Sequence, residues 1–184
     1  MKRPQIFLSG LLVLLLIAFC PGCASRPDEA LNAAQTAMEN AEQEHAADFA
    51  PGDWKSAQEA WTSAQAALSA QRYSEAAALL ATSKSRFEKA GTIAKAKRDD
   101  VRKEVTLIQH TANTRLSALK QHIAAKRLSA RAQKDLEQAF KDAETSIETL
   151  NTEVLNDQLI QARASGQTAL AKLNDVEMKL NSLR

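Results

Sequence analysis

The chain has 184 residues, with 24 Lys and Arg against 22 Asp and Glu, and only 5 Gly and 4 Pro. So few breakers argue against a β-sandwich, a collagen or a low-complexity chain, and 35 Ala among Glu, Lys, Leu and Gln read as long helices. Once residues 1–22 are set aside as a leader, 22 cations face 22 anions, so overall charge gives no case for nucleic-acid binding.

Lys2 and Arg3 form a basic start, followed by a 15-residue apolar stretch from Ile6 to Cys20 that only Ser9 and Gly10 interrupt. That is too short for a spanning helix, which needs about 20 residues, and fits the core of an export signal. The stretch ends in Pro21-Gly22-Cys23. Small Gly22 before Cys23 resembles the lipobox of bacterial lipoproteins, although Cys20 and Pro21 stand where that family prefers Leu and then Ala or Ser. The resemblance implies cleavage after Gly22, lipidation of Cys23, and a lipidated tether over 23–27. Ala24 follows in place of the Asp that tends to retain such proteins in the inner membrane. The implied address is therefore the outer membrane, periplasmic face, with the bilayer as a partner through the anchor. Cys20-Pro21-Gly22-Cys23 also has the spacing of a redox pair, but no strand pattern accompanies it.

From Pro27 onward, apolar residues recur at spacings of three and four, the mark of a bundle or coiled-coil seam. The first helix begins at Pro27-Asp28-Glu29 with the seam Leu31, Ala34, Met38, Ala41 and His45, and Phe49 to Asp53 is expected to break it. The second carries Trp54, Ala57, Trp61, Ala64 and Leu68 and turns at Gln71-Arg72. The third runs without a stop from Tyr73 to about Lys126, with a later seam from Val101 to Ile123. Ser129 is suited to cap a fourth, through Leu136, Phe140, Ala143, Ile147 and Leu150. A corner at Asn151-Thr152 leads to a fifth, whose seam runs from Leu159 through Gly166 and Leu173 to Leu183. An echo at an offset of 79 residues lays Phe140 over Trp61 and Ala143 over Ala64. The expected fold is all-α: elongated antiparallel hairpins forming two three-helix-bundle-like units, 28–98 and 99–184, that share one long helix.

Residues 28–100 resemble a domain of unknown function found in bacterial envelope lipoproteins. The resemblance rests on Ala47-Asp48-Phe49-Ala50-Pro51, on Ala57, Ala60 and Ala64, on the corner Gln71-Arg72-Tyr73-Ser74-Glu75-Ala76-Ala77, and on Ala81 to Ala90. In some members that domain precedes an OmpA-like peptidoglycan-binding domain.

Two features invite functional readings. Residues 105–134 contain no acid but carry Arg115, Lys120, Lys126, Arg127, Arg131 and Lys134, whereas 135–160 carry seven acids against Lys141 alone. This reads either as complementarity across an antiparallel hairpin, or as a basic contact tip (Lys120, Lys126, Arg127, Arg131, Lys134) for lipid headgroups, peptidoglycan or another anionic polymer. Five of the six aromatics after residue 23 lie within 49–87. Trp54, Trp61 and Tyr73 either supply bulk to an Ala-rich core or line a peptide or glycan groove. No phosphate loop, nucleophile elbow or zinc-protease motif occurs, and Glu42 with His45 is one Glu-x-x-His where a di-iron bundle needs two. The sequence thus points to a non-enzymatic chain with no cofactor or metal. Its expected role is a structural or protein-interaction module of the envelope with another envelope protein as partner, the alternative being a binder of an anionic polymer.

Overall fold

The computed structural model describes residues 25–126 and 129–183. Among them there are six helices and no strand: α1 (Asp28–Gln43), α2 (Ala46–Phe49), α3 (Pro51–Ser69), α4 (Tyr73–Ala125), α5 (Ala130–Leu155) and α6 (Leu159–Ser182). The fold is an all-α helical bundle. It divides into two compact units: the first holds α1 and Pro51–Ala90, the second Glu44–Ala50 and the chain from Gly91 onward. The sequence placed that division at 98/99.

Helix starts follow the expected chemistry. Asp28 and Glu29 occupy the first turn of α1, where negative charge meets the positive end of the helix dipole. Pro51, expected within a break, instead opens α3, because a first-turn residue has no intrahelical partner for the N–H that Pro lacks. The break falls earlier, at His45, which sits at φ 57° beyond the end of α1. His45 is therefore exposed rather than the last residue of a seam, and the buried face of α1 is Ala34, Ala37 and Ala41. Ser129 caps α5 as expected, its hydroxyl accepting from the Ala132 N–H at 3.3 Å.

In the first unit the buried positions are mostly methyl groups: Ala34, Ala57, Ala60, Ala64, Ala67, Ala76 and Ala90, with Leu80 and Phe87. Rings fill the space that methyls leave, Trp54 meeting Phe87 with centroids 5.1 Å apart at a tilt of 57°. Buried Ser83 directs its hydroxyl to the Ala57 carbonyl at 3.4 Å, and Lys89 pairs with Asp53 at 2.8 Å. The second unit has a larger aliphatic core. Val105, Ala112 and Leu119 of α4, Leu136, Ile147 and Leu150 of α5, and Leu173, Val176 and Leu180 of α6 belong to one cluster, with Val101, Ile108 and Ile123 packed on it. The C-terminal stripe is thus covered by the chain's own α4 and α5 as far as Leu180, whereas Leu183, expected to continue it, lies past the end of α6 and is 37% exposed. Gly166 marks the closest approach: a Cβ built there would lie 2.4 Å from Ile108 Cγ2.

The α5–α6 corner is at Asn156-Asp157, not Asn151-Thr152. Asn151 and Thr152 stay helical because their polar groups are satisfied there: the Thr152 hydroxyl donates to the Glu148 carbonyl at 2.9 Å, and Asn151 Oδ1 accepts from Gln109 at 2.8 Å. Both hairpin corners are the same Schellman turn. At the first, Arg72 N–H donates to Ala67 O (2.9 Å) and Gln71 N–H to Leu68 O (3.0 Å); at the second, Gln158 N–H donates to Glu153 O (2.9 Å) and Asp157 N–H to Val154 O (3.1 Å). The left-handed residues are Gln71 and Asp157, so the internal echo runs at 86 residues, one heptad more than the sequence suggested. At that offset Ala57, Ala60, Ala64, Ala76, Leu80, Ser83, Phe87 and Ala90 lie over Ala143, Ser146, Leu150, Ala162, Gly166, Ala169, Leu173 and Val176, and every one of these positions is buried.

Candidate functional site

A concavity lies within the second unit, at the α5–α6 corner. It has a volume of about 230 Å³. Three separated stretches build it: the one-turn α2 with His45 before it, Arg98 on α4, and Asn156 to Gln161 around the corner. Arg98 is the fixed part. Its side chain is 20% exposed and donates to Asp157 at 2.7 Å, with Glu44 at 3.5 Å on its other side. Arg102 holds the second oxygen of Asp157 at 3.0 Å. Hydrogen bonds from Arg98 and then Arg102 hold the Asp157 carboxyl below its ordinary value of 3.8, since both favour the charged form. Asp48 lies 3.7 Å from His45 on the opposite wall. Phe49, Leu159 and Ile160 supply apolar lining, and the exposed residues Asn156, Gln158 and Gln161 complete it.

The residues singled out from sequence are placed elsewhere. Cys23, Ala24 and Arg127 lie outside the described residues, as does the whole of the export signal. Lys120 pairs with Glu144 at 2.6 Å and sits 5.6 Å from the centroid of the Phe140 ring. Lys126 donates to the Leu180 carbonyl at 3.0 Å. Arg131 and Lys134 are exposed on α5, and Lys134 shares a shallow polar depression with Asp135, Glu137 and Lys179. The basic run is therefore interleaved with acids from α5 and α6, and Arg115 pairs with Glu177 at 2.8 Å. Trp54, Trp61 and Tyr73 are all half-buried in the first unit, where Trp61 packs against the cluster of Ala34, Ala64 and Leu80. Glu42 is exposed. Among the described residues no group of three or more His, Cys, Asp and Glu side chains is placed to hold a metal ion. None of the helices among them is long and apolar enough to cross a membrane.

Sequence reasoning missed the corner concavity, because its walls are separated by more than a hundred residues. One local signal was present: Asn156-Asp157 is a turn dipeptide whose side chains tolerate left-handed backbone.

Fold and site define a helical-bundle protein with one polar corner concavity described in its second unit. No family model, curated protein or solved structure matches the chain, so the resemblance of residues 28–100 to envelope-lipoprotein domains rests on the residues quoted for it.

Proposed function

We propose that the chain is an outer-membrane lipoprotein, anchored through Cys23 on the periplasmic face, that acts as a non-enzymatic structural or protein-interaction module of the cell envelope. The carrying observation is the order of Lys2-Arg3, the apolar stretch Ile6 to Cys20, and Gly22-Cys23. Each buried acyl methylene contributes about 0.8 kcal/mol, so two or three chains on one Cys give lasting attachment without a spanning helix. A bundle with exposed, charge-laced helix faces suits a scaffolding role. Docking through the basic tip draws less support, since Lys120 and Lys126 already have partners inside the unit.

Cys23→Ser is expected to abolish incorporation of radiolabelled palmitate and to release the protein from the outer-membrane fraction. Label persisting in that variant would refute the assignment of Cys23. Ala24→Asp is expected to move the protein towards the inner membrane, and unchanged fractionation would remove the sorting argument. In-cell crosslinking with mass spectrometry would identify the envelope partner.

A further inference from the structure

The corner concavity of the second unit has a chemistry that the anchoring proposal does not use. Most of its charges are already matched in place: Arg98 lies between Asp157 and Glu44, Lys95 stands 3.9 Å from Glu44, and Arg102 completes Asp157, while Asp48 has only His45, 3.7 Å away. An anionic ligand would meet Asp48 and Asp157 there, and a cationic one would meet Arg98. A neutral ligand faces neither penalty. Several of the hydrogen-bonding groups left over are also neutral. Among the described residues the carboxamides of Asn156, Gln158 and Gln161 have no side-chain partner, although each offers two donors and an acceptor. They stand beside an apolar wall of Phe49, half-buried, and Ile160, 38% exposed.

Apolar side chains beside planar amides match a sugar ring, which carries C–H bonds on its faces and hydroxyl or acetamido groups around its edge. The volume sets the length. A volume of about 230 Å³ suits one ring and not an extended chain. Arg98, held by two carboxylates, gives its part of the lining a fixed position.

We propose that this concavity binds one uncharged sugar ring of a larger glycan, with Asn156, Gln158 and Gln161 bonding its edge and Phe49 stacking on its face. This site is independent of the lipid anchor, and either assignment can fail without the other.

The test titrates the full-length protein, purified in a non-glycosidic detergent and labelled with nitrogen-15, with chitotriose and separately with maltotriose. Saturable shifts of the Asn156, Gln158 and Gln161 side-chain amides with at least one sugar are expected. Gln158→Ala and Gln161→Ala, both exposed positions, should each weaken binding about three- to tenfold, the loss expected for one net hydrogen bond. Phe49→Ala should weaken it further, and an unchanged amide spectrum elsewhere verifies that this variant is folded. Absence of saturable shifts with both sugars at millimolar concentration would overturn the proposal. So would shifts confined to Trp54, Trp61 and Tyr73, or unchanged affinity in both glutamine variants.

Discussion

Gly166→Ala measures how tightly α6 is held against α4. The added methyl would lie 2.4 Å from Ile108 Cγ2, where ordinary contact begins at 3.4 Å, and 3.4 Å from Leu150 Cδ1. Ile108 cannot swing a flexible tip away, because Cγ2 is attached directly to its Cβ, and a β-branched side chain has one strongly preferred χ1 in a helix. The alternatives are an off-rotamer Ile108 or a parting of the helices by about 1 Å, which forfeits a quarter to a half of the dispersion energy of each affected contact. Overpacking of this kind costs about 1–3 kcal/mol. Against it stands the gain from replacing glycine in a helix interior, about 0.5–1 kcal/mol. The expected net effect is a destabilisation of about 1 kcal/mol. Ile108→Ala removes Cγ2 and leaves a Cβ at 3.5 Å, an ordinary contact. In that background Gly166→Ala should therefore stabilise by about 0.5–1 kcal/mol, reversing its sign. Urea unfolding followed by far-ultraviolet circular dichroism, on the chain lacking residues 1–23, gives all four corners of the double-mutant cycle. Equal effects in both backgrounds would refute the close approach, and so would a full stabilisation by Gly166→Ala alone.

Three further outcomes are expected. Gln71→Gly should stabilise the protein by about 0.5–1 kcal/mol, since a left-handed non-glycine residue costs about 1–2 kcal/mol and the added chain entropy of glycine offsets only part of that; thermal unfolding would show a rise in Tm, and a fall would contradict the turn. Asp157→Asn should lower stability by no more than about 1 kcal/mol, the ceiling for exposed pairs, while keeping a side chain that tolerates the left-handed corner. Because the folded carboxyl titrates below its ordinary 3.8, that difference should be fully present above about pH 5 and should vanish as pH falls through the lowered value; a pH-independent difference would exclude the Arg98 and Arg102 pairing as its source. Leu173→Asp places a charge at a fully buried site and should unfold the second unit, seen as lost helicity and new protease cleavage between Val101 and Leu183; a variant that stays folded but changes from dimer to monomer would show that the stripe faces a partner.

The heptad spacing made the helices legible, and Ser129 made the end of α4 legible, because capping and periodicity are local chemistry. The corners were harder. Schellman turns usually announce themselves with glycine, and here Gln71 and Asp157 take the left-handed place, so the second corner was assigned to Asn151-Thr152, whose side chains in fact bond within and across helices. The same difficulty shifted the first break from His45 to Pro51. Long-range assembly was not legible at all: nothing in the neighbourhood of Phe49 announces that it shares a wall with Ile160. Conversely, Cys23 and Ala24 are readable only from sequence.

The offset of 86 residues brings with it an exchange of bulk. Where the first hairpin sets small Ala64 with large Leu80, the second sets large Leu150 with Gly166. Each arrangement fills its own interior, but the two are mutually exclusive. Pairing α3 with α6 would place Ala64 against Gly166 and leave a hole; pairing α5 with α4 at the Leu80 level would drive Leu150 into another leucine. Chains with repeated hairpins are prone to mispair while folding, because near-identical seams compete for one another. Here the complementary sizes favour each hairpin's own pairing over the exchanged one, although both share one turn geometry and one spacing.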